Sequence, residues 1–311
     1  MTSNENALPR AEPEQPAGRT SRRALLAAGL AGLGAGIGRP LGAAGGEPAG
    51  KSPATGRAFP LVDYHVHLDN STIDKVLDLS RTRGVKFGIV EHAGTKENKY
   101  PVVLSNDEEL GRYLAMLEGR PVFRGVQAEW TDWSSCFSPA VAARLDYVLM
   151  DAMTFPGKDS RRVKLWEGDV ESRVEMADRQ AFMERFVDFH VELIEKQPID
   201  VFGNLSWLPK PLAGDYEKYW TPARIRRVVD AAVKHRVALE ISSSLKLPRP
   251  GFLRIAKAAG AKFSFGSNGR YPQMGLLDYC LEAAKSLGLT RADMFLPAPD
   301  GQKAVQRKGP A

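Results

Sequence analysis

Two cysteines, five histidines and a net charge of only +6 are spread over 311 residues. Each shortage excludes something. Cys136 and Cys280 lie far apart and neither has Cys-x-x-Cys spacing, so a thiolate zinc site is ruled out. Whether the two pair in an oxidising compartment stays open. The mild charge, with no motif of a nucleic-acid binder, speaks against a DNA or RNA partner. There is no internal repeat and no sign of a second domain. The one long stretch rich in Ala, Leu and Gly, from about Ala24 to Gly38, is too short and too glycine-rich for a comfortable transmembrane helix. Scarce histidines make their places informative. Two of the five stand in one tripeptide, His65-Val66-His67, ending the apolar run that begins at Phe59. That run reads as a buried strand. Residues i and i+2 of a strand share a face, so two imidazoles project together from its C-terminal end. This suits a divalent transition metal and equally suits two half-buried, hydrogen-bonded histidines.

The first 58 residues stand apart from the fold. Ser21-Arg22-Arg23-Ala24-Leu25-Leu26 opens the apolar stretch, and Leu41 to Ala44 supplies small residues for cleavage. Over residues 1–44 this resembles a twin-arginine export signal, with a general secretory signal or an N-terminal anchor as the alternative. The resemblance implies a periplasmic or extracellular protein, folded and metal-loaded before export, with no stable membrane insertion after cleavage. Residues 45–58 read as a flexible spacer. Residues 59–295 form one α/β domain, and 296–311 are expected to be a flexible tail.

From Phe59 onward apolar runs alternate with amphipathic stretches. The expected strands are 61–67, 86–91, 122–130, 147–152, 201–205, 237–242 and 262–267. The expected helices are 73–83, 107–117, 139–144, 170–196, 222–235, 252–259 and 274–287. Alternation of this kind implies a parallel sheet with right-handed crossovers. Seven units in this length suit a seven-stranded (β/α) barrel, a distorted TIM barrel, with an open doubly wound sheet as the runner-up.

The active site of a barrel lies at the C-terminal ends of its strands. Those ends carry His65 and His67, followed by Asp69; Glu91 and His92; Gln127, Glu129 and Trp130; Asp151; Asn204 and Trp207; Glu240, with Lys246 beyond; and Ser267-Asn268-Gly269-Arg270. His190 and His235 fall in helices and read as surface residues. Imidazole with carboxylate is a donor set for Zn or Mn, or for Fe. His65, His67 and Glu129 are expected to hold one metal. His92 serves a second site or orients a ligand. Glu91 and Asp151 are replacement ligands or catalytic bases, or else members of ion pairs. Arg270 neutralises a small anionic substrate, which Asn204, Glu240, Lys246, Trp130 and Trp207 would line. Lys158–Arg162 adds positive charge, though a charged loop is also how a solvated surface looks.

Six segments together resemble the PHP (polymerase and histidinol phosphatase) family: Asp63-Tyr-His65-Val-His67, Gly88-Ile-Val-Glu-His92, Gly125-Val-Gln-Ala-Glu129, Asp146-Tyr-Val-Leu, Ala238-Leu-Glu-Ile241 and Phe263-Ser-Phe-Gly-Ser-Asn268. The resemblance implies a metal-dependent hydrolase, phosphoesterase-like, acting through a metal-activated water. Ile73, Glu91, Met153, Asn204 or Ser206, Asn268 and Arg270 stand where that family carries further ligands, which implies one or two ions rather than three. The alternatives are a catalytically degenerate barrel that binds an anionic or sugar-like ligand, and an amidohydrolase-like enzyme. Oligomeric state is not legible.

Overall fold

The computed structural model describes residues 59–69 and 71–309. The export signal and spacer expected over residues 1–58 lie outside the described residues. Seven parallel strands carry the domain: β1 (Val62–Val66), β2 (Lys86–Ala93), β3 (Phe123–Ala128), β4 (Tyr147–Asp151), β5 (Val201–Gly203), β6 (Ala238–Ser242) and β7 (Phe263–Gly266). Each pairs with the next in sequence, in the order β1 to β7. The ring nearly closes through a parallel bridge between Val66 and Gly269. There the His67 amide donates to the Gly269 carbonyl at 2.9 Å, and the Gly269 amide to the His65 carbonyl at 3.0 Å. The expected seven-stranded barrel is the architecture found. Its strands were readable because parallel strands buried on both faces keep nearly continuous apolar runs.

The crossover helices start and stop where their caps allow. In α1 (Ile73–Arg83) the Thr72 hydroxyl accepts from the Lys75 amide, and the helix ends at Gly84 with φ 62°, a left-handed cap that glycine adopts without strain. In α2 (Asp107–Leu117) the Asn106 side chain accepts from the Glu109 amide at 2.9 Å, and three acids fill the first turn. The long helix expected over 170–196 is broken. A turn of helix, Val170–Arg173, precedes α3 (Arg179–Lys196), because Asp178 caps the Gln180 and Ala181 amides and starts a new helix. α4 (Pro222–His235), α5 (Pro250–Ala258) and α6 (Asp278–Leu287) complete the outer layer. Among the described residues, no helix is long and apolar enough to cross a membrane.

Two expectations are corrected, and one further element is found. His190 is not a surface residue. It is fully buried, its Nε2 is 3.2 Å from the Ala152 carbonyl, and its ring packs on Phe186, Phe202 and Trp220. Burial pushes its pKa down to about 4, so it sits neutral in the core. Residues 296–309 do not form a loose tail. Ala304 is fully buried and its amide donates to Asp200 Oδ1, while the Lys308 ammonium donates to the carbonyls of Ile194 and Gln197. An antiparallel hairpin, Thr154–Pro156 with Arg162–Lys164, follows β4, in a stretch with too few apolar residues to read as strand. Cys136 and Cys280 are both free thiols.

The barrel interior has two layers. Val62, Tyr64, Val90, Tyr147, Leu149, Val201 and Ala238 form an apolar plug. Tyr147 spans it and donates to the Tyr64 carbonyl at 2.7 Å. A Cβ at Gly125 would lie 2.6 Å from the Tyr147 ring, so the glycine leaves the room the tyrosine fills. Above the plug lies a polar layer, and a β-bulge sets it up. Val62 and Asp63 pair with Lys86 and Phe87, but Val66 pairs with Ile89, so β1 carries one extra residue between. The bulge lets Tyr64 join the plug while His65 reaches across the barrel.

Candidate metal centre

The polar layer is a chain of hydrogen bonds through the barrel axis. Glu240 Oε1 lies 2.7 Å from His65 Nδ1, and His65 Nε2 is 2.6 Å from Gln127 Oε1. Gln127 Nε2 donates to Glu129 Oε1 at 2.6 Å, and Glu129 Oε1 is 2.7 Å from His92 Nδ1. Glu129 Oε2 also accepts from the Tyr100 hydroxyl at 2.9 Å. On the other side, Glu240 Oε2 accepts from the Asn204 amide, and Asn204 Nδ2 donates to Asp151 Oδ1 at 2.7 Å. Burial alone would lower the pKa of His65, but the charge and hydrogen bond of Glu240 reverse this and leave it raised. Burial would raise Glu129, but its hydrogen bonds, first that from His92, hold it below the usual carboxylate range.

His67 stands two residues from His65 and is equally buried, yet neither ring nitrogen has a hydrogen-bond partner. Its ring lies 4.8 Å from that of His92, nearly parallel, and the Nε2 of His92 is also unpartnered. The same holds for Asp69 Oδ1 and Glu91 Oε2. Ligand atoms of His67, Asp69 and Glu91 all fall within 4.8 Å of one another. Buried polar atoms are almost always paired. An imidazole and two carboxylates converging with orphaned donor atoms therefore fit a divalent cation. The second carboxylate oxygens are anchored: Glu91 Oε1 accepts from the Leu68 amide at 2.9 Å, and Asp69 Oδ2 from Arg270 Nε at 2.6 Å. Burial, with some help from the Asp69 charge, raises the Glu91 pKa to about 7. Burial and the neighbouring histidines drive that of His67 well down. Asp151, raised to about 8 by burial and by the charge of Glu129, holds a proton at neutral pH.

Of the residues singled out from sequence, His65, His67, His92, Glu129, Glu91, Asp151, Asn204, Glu240 and Arg270 meet in this one network. His65 and Glu129 are engaged by protein partners, and Glu91 stands among the donors. Asn268, half-buried at φ 48°, turns its side-chain oxygen to Arg270 rather than to the cluster. Trp130 lines a neighbouring cavity and Trp207 a different one beside Trp166. Lys246 is exposed in the turn after β6. Asp69 and Tyr100 carry more weight than sequence reading gave them. Asp69 was visible only as an acid two residues past the second histidine, and nothing marked Tyr100, whose ring stacks 3.6 Å over His92.

No family model matches the chain, and no curated protein matches it. Among solved structures it is similar to the HpcH/HpaI aldolase from Desulfitobacterium hafniense DCB-2, at 12% identity over 77% of this chain and 95% of that one, with a TM-score of 0.32. A likeness that faint carries no chemistry; the barrel assignment rests on the strand order itself. The PHP resemblance is nonetheless corrected. No family model supports it, and His65, its expected leading ligand, has both ring nitrogens occupied by Glu240 and Gln127. The hydrolase and phosphoesterase reading falls with it, and the degenerate-binder and amidohydrolase-like alternatives fit no better.

Proposed function

We propose that this protein is a divalent-metal-dependent barrel enzyme that carries out proton transfer on a small anionic substrate. The observation that carries this is the convergence of His67, Asp69 and Glu91, whose buried donor atoms have no protein partner. Imidazole with carboxylates suits Zn or Mn, or Fe, and the single cluster supports one or two ions. When bound there, the ion would polarise a substrate oxygen. Arg270, fixed by Asp69 and half in solvent, supplies a positive charge at the rim for an acidic group. Asp151 stands in the same polar layer, held in place by Asn204, with its pKa raised to about 8 by burial and by the charge of Glu129, so it can serve as the acid. The chain of Glu240, His65, Gln127 and Glu129 orients His92 and keeps the layer rigid. The resemblance of residues 1–44 to a twin-arginine export signal supports a working place outside the cytoplasm.

The test is exchange of solvent deuterium into small 2-oxo acids and hydroxy acids, followed by proton NMR with and without added Mn or Zn. Metal-dependent exchange, lost in Asp151→Asn while metal binding persists, is the expected result. No exchange with any member of the panel would sink the proton-transfer reading.

A further inference from the structure

A cavity of about 900 Å³ opens on the same rim of the barrel. Its walls come from the segments after β2 (Glu97, Lys99), β3 (Trp130, Asp132) and β4 (the 154–164 hairpin). Those three strands end in His92, Glu129 and Asp151. Five cations face it: Lys99, Lys158, Arg161, Arg162 and Arg173. Three acids line it with them, and two of these are spent on Arg162, whose guanidinium pairs with Glu97 and Asp132 and also binds Asn98 and Thr95, while Arg173 is paired with Glu167 and, at 3.6 Å, with Asp169. That pairing locks the hairpin to the barrel and makes Arg162, only 12% exposed, a fixed part of the floor. The third acid, Asp159, is a loose 3.8 Å from Arg161. Lys99 and Lys158 have no carboxylate partner among the described residues. The hairpin therefore carries surplus positive charge toward a preformed space of the size of a small-molecule site, beside the loops where a barrel binds substrate.

We infer that this cavity seats a second oxyanion of the substrate, a carboxylate or phosphate borne on the part of the molecule away from the metal. The substrate class is thus a small molecule with two acidic groups, one at the metal and Arg270 and the other under the hairpin. Trp130, half-buried beside the cations, forms an apolar wall for the chain or ring between them. The size of the cavity argues for a ligand larger than a single ion, and the excess of Arg and Lys argues for an acidic one.

The inference rests on the proposed metal enzyme for what happens at the other end of the substrate, but its test does not. Inorganic phosphate and glutarate are titrated calorimetrically into the full chain at low salt, with Lys158→Ala/Arg161→Ala and His67→Ala/Glu91→Gln as double variants. Circular dichroism checks that each remains folded. In chelator the hairpin variant should weaken binding of both probes at least tenfold, and the metal-cluster variant should leave that of inorganic phosphate within about twofold. Which probe binds more tightly distinguishes phosphate from carboxylate. No binding of either probe, or binding lost in the metal-cluster variant and kept in the hairpin variant, would overturn the inference. A protein that binds no metal yet binds the probes at the hairpin would sink the enzyme reading and leave the second oxyanion site standing.

Discussion

The two layers of the barrel interior are built from the same strands and solve opposite problems. In the lower layer every inward side chain is apolar or, like the Tyr147 hydroxyl, donates to a backbone carbonyl. At the mouth, a few ångströms along the same strands, buried donors are left without partners. His65 and His67 condense the contrast into one tripeptide: one imidazole is satisfied on both nitrogens by protein, the other on neither. The lower layer holds the fold together, and the mouth gives up stability for an ability to bind, as functional sites do.

The contrast can be broken most sharply at His65. In His65→Leu, Glu240 loses its partner in a buried site, and the variant should unfold about 3 kcal/mol more readily in urea. A loss below about 1 kcal/mol would mean that the polar layer does not bear on the fold. Gly125→Ala presses a methyl group into Tyr147 and should destabilise by about 2 kcal/mol, with metal content unchanged per folded molecule. Tyr147→Phe removes one buried hydrogen bond and should cost about 1 kcal/mol. His67→Leu is expected to behave in the opposite sense. In chelator it should leave stability equal to or about 1 kcal/mol above the parent, because it removes two unpaired buried nitrogens.

A pH dependence tests the same layer from another side. The pKa of Asp151 rises from 3.8 in the unfolded chain to about 8, and that of Glu91 from 4.5 to about 7. Between these values the native state holds protons that the unfolded state releases. In chelator, stability contributed by these groups is complete below about pH 4 and falls as pH rises to about 8. The Tm of the chelated protein should therefore decline between pH 5 and 8, and less steeply in Asp151→Asn. An equal slope in the variant would show that Asp151 does not hold its proton.

Much of the fold was legible because the strands are buried on both faces and three of the long helices announce their caps: Thr72, Asn106 and Thr221 all precede helices that begin as expected. What escaped was set by contacts distant in sequence. The single extra residue in β1 has no local signature, yet it decides that His65 points across the barrel while His67 is left open. Glu91 could be read as an ion-pair partner or a ligand, and only its approach to Asp69 and His67 favours the second. His190 looked like a surface residue because it lies on an amphipathic helix, but the aromatic pocket of Phe186, Phe202 and Trp220 is assembled from three separate segments.

The central claim is that His67, Asp69 and Glu91 together hold a divalent ion. The most direct measurement is metal content by inductively coupled plasma mass spectrometry on protein purified without chelator, set beside His67→Leu and Tyr147→Phe. The account predicts close to one equivalent or more of Zn, Mn or Fe in the parent and in Tyr147→Phe, and less than about a tenth of that in His67→Leu. A parent free of bound metal, or a His67→Leu protein that keeps its full complement, would contradict it.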